Sequence, residues 1–416
     1  MWIQERGDRL KLLAVSQYFW PENFRINEVA RSLKTRGVDV TFLTGKPNYP
    51  DGDVFQGYRA WGCQKEVWQG IPVIRVPLAP RGKNSAWGLS ANYLSFILSG
   101  VFLGPWMLRK ETPEAIFVYC PSPLLQALPA LLLGRIKGVP VIVWVQDLWP
   151  ESLESTGYVK NRLVLHLVRK LVQFIYRNTD HILISSRPFA TSISAMAPTA
   201  KISYFPNSID ASFCDPDSAP ETPMSELDEG FCVVFAGNIG AAQAMEVIVE
   251  AAAQLTDAPE IRFVIIGSGS RLDWMRRQVL DRGLANVHLV GRYPGEAMPS
   301  LLSKAAVLLV TLADQPIFAE TVPNKVQAYL AVGRPIVACL NGEGARLIEE
   351  AGAGLTVAAE DASGLAKAIL ALYRMTPEVR REMGDNGRLF YHQNFDHEQL
   401  VDQLIGYIQE TIGEHR

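Results

Sequence analysis

The sequence has few of the residues that build metal centres and disulfide frameworks. It contains six histidines, none paired at metal-ligand spacing, and five cysteines without a CxxC motif. It also has no GxSxG elbow and no Walker phosphate loop. We therefore predict no metal and no bound cofactor. The scattered, odd-numbered cysteines are predicted to be free thiols in a reducing compartment; they are Cys63, Cys120, Cys214, Cys232 and Cys339.

A strong excess of charge of either sign is also missing. Lys and Arg number 40 against 43 Asp and Glu, a formal net charge of −3, which argues against a nucleic-acid partner. The composition is 48% hydrophobic and 20% charged, which is typical of globular proteins. A chain of 416 residues exceeds one typical core, so two domains are expected. The charged first residues lead directly into a strand, without a signal-peptide layout.

Apolar runs of strand length recur in both halves of the chain, separated by helical stretches. The strand–helix–strand spacing is typical of parallel sheets with right-handed crossovers. The predicted strands of the first half are Leu10–Ser16, Val38–Thr44, Val73–Val76, Ala115–Tyr119, Val141–Val145 and His181–Ser185. Those of the second half are Phe231–Gly237, Ile261–Gly267, Val287–Gly291, Ala306–Leu312 and Arg334–Leu340.

These patterns predict an α/β protein of two Rossmann-like, doubly wound domains that face each other across a cleft. We place the first domain at 1–206 and the second at 229–394. A proline-rich stretch at 207–228 is interpreted as a linker. A final helix at about 395–416 can cross back onto the first domain.

The stretch from Glu320 to Ala338 predicts a loop, a short helix, a glycine stop and a buried strand. Pro323 suits the first turn of the helix, and Gly333 suits its left-handed end. The helix begins at the edge of a parallel sheet where ligands bind. Its first amides, at Asn324 and Lys325, and the Lys325 ammonium favour an anion such as a diphosphate. An ordinary crossover helix with a solvated lysine explains the same residues.

Two further turns follow strands of the second half. The segment Phe235–Gln243 turns through Gly237 and Gly240, where backbone amides can approach a phosphate; a tight turn without ligand is the alternative. Gly267 begins a partial dinucleotide fingerprint that lacks its third glycine and the following acidic residue, so NAD binding is not expected. Arg292 and Tyr293 follow the next strand and either border a nucleobase or form a plain turn.

In the first half, the strand Val141–Val145 ends in a loop that carries Asp147 and Trp149. A carboxylate at this edge can accept a hydrogen bond from a substrate hydroxyl or act as a base. A capping or turn aspartate is the alternative.

Two segments raise the question of a membrane. No residue between Ala86 and Leu108 is charged, which meets the length criterion of about 20 residues for a spanning helix. Its polar residues, its three glycines and Pro105 argue instead for a buried or partly exposed helix of the first domain. The basic, apolar stretch Tyr158–Asn178 either lies on an anionic membrane surface or exposes a solvated face. We expect peripheral contact at the cytoplasmic face of the membrane and no spanning segment.

Several long motifs together resemble glycosyltransferases of family 4, which have the two-domain GT-B fold. More narrowly, the chain resembles the bacterial O-antigen and capsule group that includes N-acetyl-L-fucosamine transferases. The residues that carry the resemblance are Gln17–Arg25, Leu43–Pro50, Trp144–Ser152, Gly237–Gln243, Val322–Pro335 and Gly342–Ile348.

The resemblance implies metal-independent transfer with retention of anomeric configuration, from a nucleotide sugar held mainly by the C-terminal domain. Family members usually carry two glutamates eight positions apart; Glu320 occupies the first position, but Ala328 replaces the second, which normally holds the ribose. The family's cationic pair for the diphosphate maps near Asn238 and Gln243, which are uncharged. We infer that Lys325 and the helix amides carry more of the phosphate charge.

The candidate residues fall into three sets. The catalytic candidates are Asp147, Glu320 and Lys325. The donor-binding candidates are Gly237, Asn238, Gly240, Gln243, Gly267, Arg292, Tyr293, Pro323, Asn324 and Gln327. The acceptor-binding candidates are Tyr18, Trp20, Glu22, Arg25, Asn48 and Trp149.

The resulting hypothesis is a retaining glycosyltransferase that moves a sugar from a UDP donor to a lipid-linked or oligosaccharide acceptor, such as a polyprenyl-diphosphate sugar, in surface polysaccharide synthesis. Two alternatives remain open at this point. A UDP-sugar epimerase can share the two-lobed fold, and Ala328 is also consistent with a non-catalytic scaffold subunit.

Overall fold

The computed structural model describes residues 9–82, 86–155, 161–220 and 222–415. The chain divides into two compact units. The first contains the residues up to Pro206 together with those from Glu398 onward, and the second is Asn207–His397.

The first unit is built on an eight-stranded sheet, ordered β3-β4-β2-β1-β5-β6-β7-β8, in which only β3 runs antiparallel to its neighbour. Its strands are β1 Lys11–Val15, β2 Asp39–Thr44, β3 Gln64–Trp68, β4 Ile71–Arg75, β5 Ala115–Cys120, β6 Val141–Val145, β7 His181–Ile184 and β8 Ile202–Tyr204. Its first six helices are α1 Arg25–Thr35, α2 Ala86–Met107, α3 Leu128–Lys137, α4 Glu151–Ser155, α5 Arg162–Arg177 and α6 Phe189–Met196.

The second unit is built on a six-stranded parallel sheet, ordered β11-β10-β9-β12-β13-β14. Its strands are β9 Phe231–Asn238, β10 Ile261–Ser268, β11 Val287–Gly291, β12 Val307–Thr311, β13 Ile336–Cys339 and β14 Gly354–Val357. Its helices are α7 Met245–Ala253, α8 Leu272–Asp281, α9 Met298–Ser303, α10 Pro316–Glu320, α11 Asn324–Val332, α12 Glu343–Glu350, α13 Ala362–Arg374 and α14 Pro377–Asn394.

The central strands of both sheets are buried on both faces, which is why they read as continuous apolar runs. All residues of β5, β6 and β12 are buried. Helices cover the two faces, and the first strand of each set lies inside its sheet because the chain winds outward in both directions. The loops after the strands therefore gather at one edge of each sheet, and this edge carries the candidate residues.

The structure assigns the predicted linker and the final helix to particular units. The stretch at 207–228 forms short 3₁₀ turns, and its side chains Ile209, Met224 and Leu227 are buried in the core of the second unit. The final helix, α15 (His397–His415), packs on the first unit, where Leu404 and Ile408 are buried in the core. The segment at 207–228 is thus a packed part of the second unit.

The fold class is confirmed, and all eleven predicted strands are present within a few residues of their predicted bounds. Three strands were not predicted: β3, β8 and β14. Each lies at an edge of its sheet, where burial is incomplete and the apolar signal is weak. The predicted basic helix begins at Arg162; its expected start at 158–160 lies outside the described residues.

Helix α2 is long and apolar enough to span a membrane by length and composition, but its inner side packs on the first unit. Phe96 is fully buried, and Asn92 is buried and donates hydrogen bonds to Asn48 and to the carbonyl of Ala79. Gly100 and Gly104 allow close approach to α3, at Pro129 and Leu133. These contacts make α2 a surface helix of the first unit in this structure.

Candidate active site

Three loops meet at the carboxyl edge of the second sheet, after the adjacent strands β10, β9 and β12. The amide of Ile239 donates to the carbonyl of Ser268, and the amide of Arg271 donates back to the carbonyl of Ile239. The amide of Ala313 donates to the carbonyl of Ala242, while the hydroxyl of Thr311 donates to the carbonyl of Gln243 at 2.5 Å. These bonds hold the turn after β9 rigidly between its neighbours.

Two glycines let the backbones of β9 and β10 approach each other at this edge. Gly267 pairs with Gly237 in the sheet register, and both have positive φ, of 149° and 136°. A Cβ on Gly267 would lie 1.8 Å from the carbonyl oxygen of Gly237, so no side chain fits there. A Cβ on Gly237 would lie 2.7 Å from Cε of Lys325. Gly237 and Asn238 themselves are exposed, leaving their backbone open to a ligand.

Lys325 lies beside this open backbone. Its Nζ is buried, has no hydrogen-bond partner among the described residues, and sits 3.6 Å from the centre of the Phe235 ring. Burial lowers the pKa of this ammonium to about 7, because a buried cation without a counter-charge is poorly solvated. A cation–π contact offsets only part of that cost. The site is therefore suited to an anion.

Helix α11 adds its N-terminus to the same place. Pro323 precedes its first residue, no side chain caps it, and Asn324 is exposed. The first turn of α12 packs behind this helix start, since Gly344 lies close to Pro323. Unsatisfied amides at a helix start favour anions. We name Gly237, Asn238, Gly240, Gln243, Gly267 and Lys325 the glycine–lysine cluster.

Glu320 and the remaining donor candidates have different positions. Glu320 is partly buried at the end of α10, and Gly342 approaches the preceding carbonyl, that of Ala319. Arg292 is exposed and Tyr293 is partly buried after the edge strand β11. Gln327 is buried, and its amide donates to the carbonyl of Asn207 at 2.8 Å. Gln327 therefore makes a structural contact within the second unit.

In the first unit, Glu22 and Asn48 join the loops after β1 and β2. One carboxylate oxygen of Glu22 accepts the amides of Asn48 and Tyr49, both at 2.8 Å, and the other accepts the amide of Phe19. Glu22 is 2% exposed and Asn48 is fully buried. Burial raises the pKa of Glu22 to about 7, against the opposing effect of these amide bonds. In this arrangement the two residues position loops instead of facing a ligand.

Asp147 stands at the end of β6, where the carboxylate accepts a short hydrogen bond from the Ser152 hydroxyl. Burial raises its pKa to about 6, although bonds from Ser152 and the Leu148 amide oppose the shift. Its neighbour Trp149 is buried and donates from Nε1 to the Ser122 hydroxyl at 3.2 Å. A carboxylate that titrates near neutral pH can accept a proton from a substrate hydroxyl.

Aromatic side chains of the first unit lie near this carboxylate and around the loop after β1. Tyr93 from α2 meets the ring of Trp149 edge-on, with the ring centres 6.5 Å apart. Burial raises the pKa of the Tyr93 hydroxyl, and the nearby charge of Asp147 raises it further. Tyr18 stacks on Phe24 at 4.9 Å and is nearly buried. Trp20 is 39% exposed and stacks on Trp68. Arg25, at the start of α1, pairs with Glu28.

The structure also brings in residues that the sequence reasoning missed. Arg81 and Tyr93 stand with Tyr18, Asp147 and Trp149, and we name these five residues the aromatic–carboxylate cluster. Tyr93 lay inside an apolar run and Arg81 only at its flank, so no motif singled them out. Phe235 entered the sequence reasoning only as the first residue of the segment that turns through Gly237, although its ring underlies Lys325. In the described part of the chain, no group of three His, Cys, Asp or Glu side chains could hold a metal ion.

Comparison with known protein families matches both units. Residues 23–208 match a glycosyl transferase 4-like domain, and residues 230–375 match the glycosyl transferases of group 1. The two matches lie side by side and cover most of the chain. The chain belongs to the family 4 glycosyltransferases, enzymes of the GT-B fold.

Individual proteins agree with this assignment. A glycosyl transferase of Escherichia coli K12 named for colanic acid biosynthesis, WcaI, is 27% identical over 339 residues, which cover 78% of this chain and 82% of WcaI. The alpha-D-kanosaminyltransferase of Streptomyces kanamyceticus is 25% identical, covering 92% and 98% of the two chains. Sucrose-phosphate synthase from Thermosynechococcus elongatus has the same fold, with a TM-score of 0.72 at 18% identity, covering 98% of this chain and all of that one.

Proposed function

We propose that this glycosyltransferase moves a sugar, N-acetyl-L-fucosamine or a related amino sugar, from a UDP-sugar to a polyprenyl-diphosphate-linked or oligosaccharide acceptor, with retention of configuration. UDP-sugar binding is supported mainly by Nζ of Lys325, which is buried beside the exposed backbone of Gly237 and has no hydrogen-bond partner among the described residues. A diphosphate supplies the counter-charge that this ammonium lacks. The amides at the start of α11 would bind the same group.

The chemistry follows from the charge that develops during transfer. As the bond from the sugar anomeric carbon to the diphosphate oxygen breaks, negative charge grows on that oxygen. Lys325 and the helix amides stabilise this charge, and preorganised donors of this kind are a large contribution to catalysis. The acceptor hydroxyl attacks the same face of the sugar and gives its proton to the departing diphosphate. Asp147 and Glu320 orient the reacting hydroxyl and sugar.

The substrate class rests on the relatives. One relative is named for colanic acid biosynthesis and another for transfer of kanosamine, an amino sugar. We infer from these names that the chain acts in bacterial polysaccharide synthesis on an amino-sugar donor. The replacement of the usual second glutamate by Ala328 suits a donor whose ribose is held by other groups.

A lipid-linked acceptor is supported by an exposed apolar face on the first unit. Helix α2 exposes a stripe that includes Trp87 at 82%, Phe102 at 73% and Trp106 at 60%. Helix α5 exposes Leu163, Leu167, Leu171 and Phe174 on the same side of the sheet. Helix α3 lies against both, through Pro129 under Gly100 and Arg135 over the Phe174 ring. We name these outward side chains of α2 and α5 the apolar face.

The charges around the apolar face favour an anionic bilayer. Helix α5 carries Arg162, Arg169, Lys170 and Arg177 and no acidic residue, and α2 carries no charge at all. Apolar side chains with a basic rim bind the interface of anionic membranes. We therefore propose that the enzyme is peripheral on the cytoplasmic face of the membrane, where a polyprenyl acceptor resides.

Vesicle sedimentation tests the membrane half. Wild-type protein is expected to pellet with phosphatidylglycerol vesicles and less with phosphatidylcholine vesicles. The triple variant Trp87→Ser, Phe102→Ser, Trp106→Ser should stay in the supernatant, whereas Leu280→Ser, which removes an exposed leucine of the second unit, should behave as wild type. Equal pelleting of both variants would overturn membrane docking by this face.

Product analysis tests the reaction. Candidate UDP-sugars are incubated with a polyprenyl-diphosphate-linked acceptor, and UDP, acceptor mass and anomeric configuration are measured. Transfer releases UDP and enlarges the acceptor, and the new linkage keeps the donor configuration. An epimerase instead makes a new UDP-sugar without acceptor, and a scaffold makes neither product. Either of these results contradicts the proposal.

A further inference from the structure

Arg81 is a second cation without a counter-charge, in the first unit. Its guanidinium lies 5.1 Å above the centre of the Tyr49 ring, and its Nε is buried without a hydrogen-bond partner among the described residues. Its backbone amide donates to Asn48, which fixes the chain at this point. None of the ion pairs among the described residues includes Arg81. The informative contrast is Arg75, which is fully buried and pairs with Glu66.

Arg75 shows how this fold treats a buried guanidinium that has only a structural role. Besides its 2.7 Å bond to Glu66, it donates to the carbonyls of Gly45 and Trp20, so its charge and its donors are satisfied. Arg81 has no such set of acceptors among the described residues. The Tyr49 ring stacks on the Arg81 guanidinium and orients its plane, but the ring accepts no hydrogen bond from it.

The neighbours of Arg81 are those of the aromatic–carboxylate cluster. Its charge lowers the pKa of Tyr18 and of Tyr93, against the larger effect of burial on both hydroxyls. The charge of Glu22 raises the pKa of Tyr18, and the charge of Asp147 raises the pKa of Tyr93, so both carboxylates lie near this group. Neither carboxylate forms an ion pair with Arg81 among the described residues. A guanidinium held in place with free donors suits a planar or tetrahedral anion.

We propose that Arg81 binds the phosphate or diphosphate group of the acceptor, beside Asp147. This inference rests on the proposed function and names the acceptor group that the first unit recognises. The chain continues from Arg81 into α2, whose exposed stripe starts at Trp87. An anionic headgroup at Arg81 therefore leaves its lipid tail close to the apolar face. A soluble anionic acceptor has no lipid tail and would leave the apolar face unused.

Calorimetric titration of the full chain tests this assignment. The probes are farnesyl diphosphate, inorganic pyrophosphate and farnesol, each titrated in saturating UDP so that the glycine–lysine cluster is occupied. The variants are Arg81→Gln, Arg81→Lys and the control Arg31→Gln, which removes an exposed arginine of α1 in the same unit. Thermal unfolding of each variant verifies that it is folded.

The expected result is a weaker Kd for farnesyl diphosphate in Arg81→Gln, by about 10- to 100-fold, as for loss of charge-assisted hydrogen bonds. Arg81→Lys should be intermediate because it keeps the charge and loses the planar fork. Arg31→Gln should match wild type. Pyrophosphate that binds as well as farnesyl diphosphate would support an anion site without a lipid contribution; tighter binding of farnesyl diphosphate would support the lipid headgroup.

Equal Kd values for farnesyl diphosphate in wild type and Arg81→Gln would overturn the role of Arg81, as would farnesol binding as tightly as farnesyl diphosphate. Neither result touches the donor half of the proposed function, because UDP affinity is measured separately and depends on Lys325. Conversely, if the wild-type protein did not bind UDP, the proposed donor site would be contradicted, and the comparison of Arg81 variants would still be interpretable.

Discussion

The glycine–lysine cluster of the second unit is built mainly from backbone, whereas the aromatic–carboxylate cluster of the first unit is built from side chains. In the second unit, Gly237 and Gly267 bring two strands together, and Gly237 and Asn238 are exposed. In the first unit, Asp147, Trp149 and Tyr93 present a carboxylate and rings. Backbone amides suit a constant group such as a diphosphate, and varied side chains suit a group that differs between acceptors.

The two clusters share one feature, a buried cationic atom without a hydrogen-bond partner among the described residues. In one it is Nζ of Lys325, and in the other it is Nε of Arg81. Buried charge is costly unless it is paired. We therefore propose that an anionic ligand supplies the missing partner in each of these two clusters.

The largest expected effect tests the backbone construction of the second unit. Gly267→Ala places a Cβ 1.8 Å from the carbonyl oxygen of Gly237 at a φ of 149°, so we expect the second unit to lose more than about 4 kcal/mol of unfolding free energy. Gly295→Ala is the control, since nothing lies within 4 Å of its added Cβ. Denaturant unfolding measures both; a loss in Gly267→Ala as small as in the control would refute the close approach.

The next effect separates catalysis from stability. Lys325→Met should lower kcat by about 10²–10³-fold, corresponding to a lost charge-stabilising donor worth about 2.7–4 kcal/mol. It should not lower the Tm, because it removes a buried cation with no partner among the described residues. The control Lys367→Met changes an exposed lysine of the same unit. A variant that keeps its turnover would show that Lys325 does not act on the leaving group.

The third effect concerns Glu22 in the first unit. Its pKa is raised from 4.5 to about 7 by burial, so its contribution to stability is present below pH 4.5 and is lost as pH rises through 7. The loss amounts to roughly 3 kcal/mol at 1.36 kcal/mol per pKa unit. Glu22→Gln should remove this part of the pH dependence.

Hydrogen exchange of peptides from β1 and β2, followed between pH 4 and 8 and corrected for intrinsic rates, measures the Glu22 effect. Glu111→Gln, a partly exposed glutamate of the same unit, is the control. Parallel pH profiles for wild type and Glu22→Gln would show that Glu22 stays ionised in the folded protein.

The smallest effect is the pH dependence of UDP binding. Because the pKa of Lys325 is lowered to about 7, the free enzyme loses the positive charge of this side chain as pH rises. Binding of the diphosphate favours the charged form, so Lys325 takes up a proton when UDP binds. UDP affinity should weaken by up to about tenfold per pH unit above pH 7.5. Lys325→Arg keeps its charge and should give a flat profile. Calorimetry in buffers of different ionisation enthalpy would count the proton, and an absent uptake would contradict the shifted pKa.

Much of the fold could be predicted from the sequence because its strands are buried on both faces. The runs at β6, β9 and β12 are continuous and apolar, and the turns after them carry glycine or acidic residues. Three of the four edge strands escaped prediction because half-buried segments such as β14 have a weak pattern. The apolar run of α2 fixed its length, but only packing shows which side of it is exposed.

The candidate sites divide in the same way. Lys325, Gly237 and Asp147 were proposed from local motifs, since a short chain segment places each in a turn or helix start that follows a strand. Arg81 and Tyr93 were missed because their partners lie far away in the sequence: Tyr49 stacks under Arg81, and Trp149 meets Tyr93. Glu22 was predicted to face the acceptor, but its carboxylate holds backbone amides of two loops.

The sequence by itself determined the two α/β sheets, the family and the positions of the main loops, because hydrophobic period and turn residues act locally. Tertiary structure alone decided which charged atoms lack partners and which apolar side chains stay exposed. Pairing and burial depend on residues that come together only when the chain folds, so Arg81 and the outer stripe of α2 became visible only in the folded protein.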